Sequence, residues 1–557
     1  MELRQLNQSL GNYVIATSVL VTLFVSPWNS IDPVNLPKMT LLGVLASISL
    51  SLAILNKSFL IRQSSRPLVI LLTLFSVQLT IVLLASNLDF SFKFFGTPSR
   101  NTGFLAYMSL GFLLFASAVS ASHELLKKYA VAIVALGGFL STYGLLQWRG
   151  IDFFDYVNAY GSDVFGTFGN PNFQSAFMGI TAAVAMTWVL FSRIQLKWKI
   201  TLGAVSTSAI ANVALSSQQG GLNFLAGLTG AVIIYLFSNK KRVFGWSFLG
   251  AAGAISLLLL LGILNIGPLA SVIYKSSLQA REFYWRAAIK MMVDHPFLGV
   301  GLDGFGDWYR RSRTQAVAEF NSGIVADTAH NIPLDIGSSG GFPLMFIYFA
   351  LIGLVVISII KVLRRNQGFD VVFASIVAAW AAYQAQSLIS INQLGLGVWG
   401  WSLSGLLIGY ELNTRGDIVE EPNKNIGKKV KVKETMPASA LLVAFVAGGI
   451  GMAISLPPYI AANKYYKALQ SGDGVQVQKA AYLMPYDRTR FLYSAQILTN
   501  NKLDDQAIQI LKDASKIYPD SFDLWSAWAQ IPSADPKDVA RAKAEMKRLD
   551  PFNPDLK

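Results

Sequence analysis

Thirteen apolar runs set the limits on what this chain can fold into. They lie at about 11–26, 39–55, 67–86, 103–121, 129–147, 173–192, 200–216, 221–238, 244–264, 341–361, 371–388, 395–411 and 438–456. A helix rises about 1.5 Å per residue, so about 20 apolar residues cross the roughly 30 Å hydrocarbon core of a bilayer. Apart from Lys361 and Glu411 at the edges of two runs, none contains Asp, Glu, Lys, Arg or His. A backbone in lipid must satisfy its own hydrogen bonds, which at this run length selects helices. The prediction is an all-α, polytopic membrane helix bundle of about 13 spans over 1–456. Composition agrees: 14% of the residues are charged, against about 25% in soluble domains.

The first run reads as a retained anchor, because Ser26-Pro27-Trp28-Asn29-Ser30 offers no small-x-small cleavage pattern. The absence of cysteine excludes disulfides and thiolate metal sites. The net charge of +14 points to loops that set orientation, not to nucleic acid. With the N-terminus in the cytoplasm, segments 1–10, 56–66, 122–128, 193–199, 239–243, 361–370 and 412–437 hold 21 Lys and Arg. The remaining loops before residue 457 hold 11, seven of them in 265–340. This asymmetry puts 265–340 and the tail 457–557 outside the cytoplasm.

After Pro457-Pro458 the apolar runs stop and amphipathic periodicity begins. Pro485 and Pro519 are 34 residues apart, and Pro519 and Pro551 are 32 apart. Ala507, Ile510, Leu511 and Ala514 form one helical stripe, and Leu524, Trp525, Trp528 and Ala529 another. A period near 34 in proline-closed helix pairs resembles tetratricopeptide repeats, and about three would stack as a small solenoid. Such repeats usually bind partners, so 457–557 is expected to be an extracytoplasmic interaction module.

Polar candidates gather in the outer loops. In 280–292, Arg281, Trp285, Ile289 and Met292 share one helical face, beside a polar row of Glu282, Arg286 and Lys290. A guanidinium there can grip phosphate bidentately. Gly299-Val300-Gly301-Leu302-Asp303-Gly304 matches GxGxxG without a preceding strand, and reads as glycines that permit a tight loop. Arg100 sits among turn residues in Gly96–Gly103, and Asn170 and Asn172 flank Pro171 at a span entrance. His330, one of three histidines, precedes Asn331 just before an apolar run. A transporter would need charged or repeated elements inside its spans, and the runs carry neither.

Taken together these motifs resemble one family. Gly166-Thr167-Phe168-Gly169-Asn170-Pro171-Asn172-Phe173 is similar to the GTFGNPN signature of the O-antigen ligase and polymerase superfamily. Arg281-x-x-x-Trp285-Arg286, His295-Pro296-Phe297-Leu298-Gly299-Val300-Gly301 and His330-Asn331 with Leu334 follow in that family's order, and Gly96–Gly103 resembles its R-x-x-G element. The resemblance implies a bacterial inner-membrane enzyme with a fold related to the lipid-carrier glycosyltransferases. Such an enzyme moves a glycan from an undecaprenyl-pyrophosphate carrier to a glycan, lipid or protein acceptor, without a nucleotide sugar or a metal. Its implied partners are that lipid-linked glycan, the acceptor, membrane lipid and a protein partner for the repeats. The essential arginine and histidine carry over to Arg281 and His330. Arg100, Asn170, Asn172, Gln219, Arg286 and Asn331 are the implied substrate-binding residues, with Asp327 and Asn331 placed to orient the His330 ring. One departure is plain: where members often carry Ser-Arg-Gly, this chain has Ser216-Ser217-Gln218-Gln219-Gly220-Gly221.

Overall fold

The computed structural model describes residues 2–27, 31–154, 163–274, 276–365, 368–415 and 438–556. Trp28 to Ser30 of the cleavage-site stretch, and the lysine-rich 416–437 of the inner count, lie outside the described residues. All regular structure among the described residues is helical. Each of the thirteen runs is carried by a helix: Glu2–Leu23, Asn35–Ile54, Arg66–Ala85, Phe104–Ser120, His123–Trp148, Pro171–Phe191, Leu196–Ser216, Gln219–Ser238, Arg242–Ile263, Ile332–Arg365, Val371–Ser387, Leu394–Asn413 and Ala438–Ser455. Eight of these are both long and apolar enough to cross a membrane, which makes this an integral membrane protein. The others are shorter or more polar, and two of them, Val371–Ser387 and Leu394–Asn413, are buried along nearly their whole length. A helix surrounded by other helices keeps its small polar groups among protein partners rather than in lipid.

Small residues set the spacing of this core. A Cβ on Gly405 would lie 2.0 Å from the Leu114 carbonyl oxygen, and one on Gly409 would lie 2.1 Å from that of Ala118. The Leu394–Asn413 and Phe104–Ser120 helices therefore pack backbone against backbone. Trp399 fills the centre, edge-on to Tyr129, with its indole N–H donating to Thr22 Oγ1 at 2.8 Å. Lys38, fully buried, donates from Nζ to the carbonyl oxygens of Val21, Thr22 and Phe24 at 3.0, 2.6 and 3.0 Å. An ammonium at the carbonyl end of Glu2–Leu23 satisfies groups that have no intrahelical donor.

Loops assigned to one side meet one another. Arg62 donates to the Leu412 carbonyl, Lys128 to Asn12 Oδ1, and His123 pairs with Asp370. At the opposite end, Asn35 Nδ2 donates to the Ser99 carbonyl and Asn331 Nδ2 to that of Leu388.

The segment 265–340 is not an open loop. It holds Ser276–Asp294, Phe305–Ser312, Gln315–Phe320 and the start of Ile332–Arg365. The face buried by Ser276–Asp294 consists of Trp285, Ala287, Ala288, Met291 and Met292, whereas Ile289 is 49% exposed. The buried stripe is thus turned from the expected Arg281, Trp285, Ile289 and Met292 face toward Ala287, Ala288 and Met291. The long helix breaks at Gly341, where φ is 73° and a Cβ would meet the Pro296 carbonyl oxygen at 2.5 Å. The freed groups find partners: Phe342 N–H donates to Pro296 O at 2.8 Å, and Gln78 Nε2 donates to Gly340 O at 3.1 Å. Such a break is tolerated only where protein re-satisfies the backbone.

The tail forms three consecutive helix pairs, Pro457–Ser471 with Gly474–Ala481, Arg488–Asn500 with Asp504–Ile517, and Phe522–Ala529 with Pro536–Leu549. Ala507, Ile510, Leu511, Ala514, Leu524, Trp525 and Trp528 share its core with Phe92 of the membrane part. One face of these helices is occupied within the chain itself. It docks on Phe305–Ser312 through Arg488–Asp307 and Arg311–Asp520 ion pairs, and the Arg310 guanidinium lies 4.0 Å over the Phe522 ring.

Candidate active site

Three turns converge at the end of the bundle that carries the tail. The Gly96–Gly103 turn is tied to Asp303, whose carboxylate accepts from Thr97 N–H at 2.6 Å and Thr102 Oγ1 at 2.8 Å. Asp303 lies in the Gly299–Gly304 turn, in which Gly299 and Gly301 have φ of 58° and 95°. A Cβ on Gly299 would lie 2.2 Å from the Ser338 carbonyl oxygen, so only glycine fits the close approach. The third turn, 326–331, carries Asp327 and His330. Arg100 joins it to the first by a two-pronged pair with Asp327, Nε to Oδ2 at 2.8 Å and Nη2 to Oδ1 at 3.1 Å. A small polar cavity between the turns is lined by Arg100, Tyr107, Asp303, Asp327, Asp335 and Asn392, among others.

Backbone strain gathers here too. Ser99, Asn101, Asp303 and His330 all have positive φ, at 68°, 56°, 58° and 52°; the other described non-glycine residues with positive φ are Lys240, Asn265 and Lys502. Such conformations cost about 1–3 kcal/mol each and persist where the surroundings over-determine them. On either side of His330 the chain is pinned: Ala329 N–H donates to Asp335 Oδ1 at 2.5 Å, and Asn331 caps the next helix by accepting from Leu334 N–H at 3.0 Å.

The His330 ring packs on Tyr284, with centroids 5.6 Å apart, and makes no hydrogen bond among the described residues. Burial, with the nearby Arg100 and Arg281 cations, lowers its pKa to about 4 against the pull of Asp327. At neutral pH it is therefore an unprotonated imidazole, a proton acceptor. Burial disfavours the ionised Asp327 carboxylate, but the Arg100 pair and the charge of His330 outweigh it and hold its pKa below the ordinary value. Arg281, one helical turn before Tyr284, is half-buried and has neither a hydrogen bond nor an ion pair among the described residues. Burial lowers its pKa, opposed by Tyr284, yet a guanidinium stays charged at neutral pH.

The other sequence candidates have partners that define their roles. Arg286 points outward, 64% exposed, and pairs with buried Glu282, which also accepts from Tyr274 Oη at 2.9 Å. Asn170 caps Pro171–Phe191 by accepting from Asn172 N–H at 2.8 Å, while Asn172 is half-buried at the entrance of that helix. Gln219, at the start of Gln219–Ser238, donates to Gln386 Oε1, which also accepts from Asn223 Nδ2 at 3.0 Å. Asn331 is occupied by its cap and by Leu388, so neither it nor Asp327 hydrogen bonds to the His330 ring. Sequence reasoning missed Tyr284 and Asp303 as site residues. The i+3 spacing of Tyr284 from Arg281 was a usable signal, but the pairing of Asp303 with a turn 200 residues away was not.

Residues 204–349 match the family model described as O-antigen ligase. That segment is similar to the O-antigen ligase family. The match includes Gln219, Arg281, Arg286, His330 and Asn331, and leaves out Arg100, Asn170, Asn172 and the tail. No curated protein matches the chain. The match supports a glycan transferase of the O-antigen ligase kind.

One consequence of the site's electrostatics can be measured. Arg100→Gln removes a cation that disfavours the imidazolium and frees Asp327 to favour it. Both effects raise the pKa of His330, so the acid limb of kcat/KM should move from near pH 4 toward 6.5. An unmoved limb would show that Arg100 and Asp327 do not act on the ring.

Proposed function

We propose that this chain transfers a glycan from an undecaprenyl-pyrophosphate carrier to an acceptor hydroxyl on the non-cytoplasmic face. The observation that supports it most is the Arg281 guanidinium, unpaired among the described residues, beside an unprotonated His330. A sugar pyrophosphate leaves readily once its developing charge meets a preorganised cation. A hydroxyl is a weak nucleophile until a base takes its proton. In the reaction the acceptor oxygen attacks the anomeric carbon as its proton passes to the His330 ring. The bond from that carbon to the pyrophosphate oxygen breaks, and the departing oxygen keeps the electron pair, facing Arg281. Arg100, held by Asp327, adds positive charge, and the helices of 265–340 limit access of water as a competing acceptor.

Purified protein incubated with radiolabelled lipid-linked glycan and acceptor should release carrier pyrophosphate and label the acceptor. Carrier moved across the membrane without bond cleavage would indicate a flippase instead. Full-length glycan stranded on the carrier after gene deletion supports a ligase, and single units support a polymerase.

A further inference from the structure

The residue pair that joins the tail to the transfer site is the most deeply buried ion pair among the described residues. Arg313 and Asp550 both have side chains 0% exposed, and Arg313 Nη2 donates to Asp550 Oδ1 and Oδ2 at 2.9 and 2.7 Å. The other prong of the same guanidinium, Nη1, donates to the carbonyl oxygens of Ser322 and Ile324 at 2.9 and 3.1 Å. Ile324 is three residues before Asp327 and six before His330. Asp550 is itself held, accepting from Asn553 Nδ2 at 3.1 Å at the end of Pro536–Leu549. A planar guanidinium fixed on one edge presents its other edge in one orientation only. The backbone entering the site is thus held by a carboxylate from the far end of the chain.

A second path leads to the same ring. Tyr309, on the Phe305–Ser312 helix just before Arg313, lies edge-on to Tyr284 with centroids 5.5 Å apart, and Tyr284 packs on His330. The tail therefore reaches the backbone before His330 through Arg313, and the aromatic stack behind it through the Phe305–Ser312 helix on which it docks. This is not how a free interaction module is built. A buried pair costs desolvation that an apolar pair would avoid, so its retention calls for a directional role.

We propose that Asp550 is a positioning residue for glycan transfer, acting through Arg313 to hold 322–330 in its working geometry. The inference rests on the assignment of His330 as the base. It makes the C-terminal helices a part of the active enzyme.

The test uses the full-length protein in lipid nanodiscs, with hydrogen exchange and transfer kinetics on Asp550→Asn and Ser322→Ala. Asp550→Asn keeps the shape and removes the charge. It should speed exchange across 322–331 by about tenfold while leaving the Asp504–Ile517 helix unchanged. It should also lower kcat by about tenfold or more with the KM for lipid-linked glycan held, because a displaced base impairs the step and not donor binding. Ser322→Ala breaks only the exposed contact of Ser322 Oγ with Asp555 Oδ2, at 2.9 Å. It leaves folding intact and should speed the same exchange by about two- to threefold. Unaltered exchange across 322–331 in both variants overturns the proposal. So does an unfolded Asp550→Asn together with unaltered exchange in Ser322→Ala, or a fall in kcat matched by a rise in KM. Faster exchange in a protein whose wild type shows no transfer supports the positioning and removes only the functional reading.

Discussion

Arg281→Ala is expected to lower glycan transfer by about 10²–10³-fold, the usual effect of removing one preorganised charge-stabilising donor, while the thermal midpoint stays level or rises. The two halves of this prediction have one cause. Arg281 is half-buried and makes no hydrogen bond or ion pair among the described residues, so the folded protein loses no bond when it goes. A partly desolvated cation without a partner is a cost to the fold, and such costs are found where function requires them. Arg281→Lys tests geometry against charge. Lysine restores a point charge but not the two-pronged fork, so transfer should recover only in part. Activity near wild type in the alanine variant, or a marked fall in its midpoint, would reject the assignment. The readouts are initial rates with lipid-linked glycan and thermal unfolding in detergent.

His330→Ala should lower transfer by about 10²–10⁴-fold, the range for loss of a general base, with protein level and insertion unchanged. The pH profile of the wild type supplies an independent check. With its pKa lowered to about 4 by burial and two cations, the ring is neutral through pH 5–8. kcat/KM should therefore be flat across that range and fall only as the pH drops through about 4, where protonation removes the acceptor. An unperturbed histidine would give its limb near 6.5 instead. Transfer by His330→Ala within a few-fold of wild type, or a limb that persists in that variant, would assign the base elsewhere. The other two histidines have separate settings, His123 pairing with Asp370 and His295 edge-on to Trp308.

Much of this was open to reading along the chain because it depends on near neighbours. The apolar runs fixed the helices, because lipid leaves a backbone no other partner, and the change after Pro457-Pro458 marked the tail. His330 and Arg281 stood out through their motifs. Other assignments depended on which polar groups folding brings within reach. Arg286 shares a motif with Arg281, yet it points outward and its Nε donates to Glu282 four residues before it. Asn170 looked like a ligand and caps a helix. The role of Asp303 appears only when Thr97 and Thr102 arrive from another turn.

The sequence by itself determined helix content and the membrane setting and singled out the two residues on which the proposed chemistry rests, since each is marked by side chains within a few turns of one another. Only the tertiary structure decided which guanidiniums are free and which are spent. Arg100 is matched to Asp327, Arg313 to Asp550 and Arg488 to Asp307, across 227, 237 and 181 residues of sequence, and Arg281 has no such partner among the described residues. The reason is physical: a charge becomes a binding element or a brace according to what lies within hydrogen-bond reach, and that is set by packing between helices far apart in the chain.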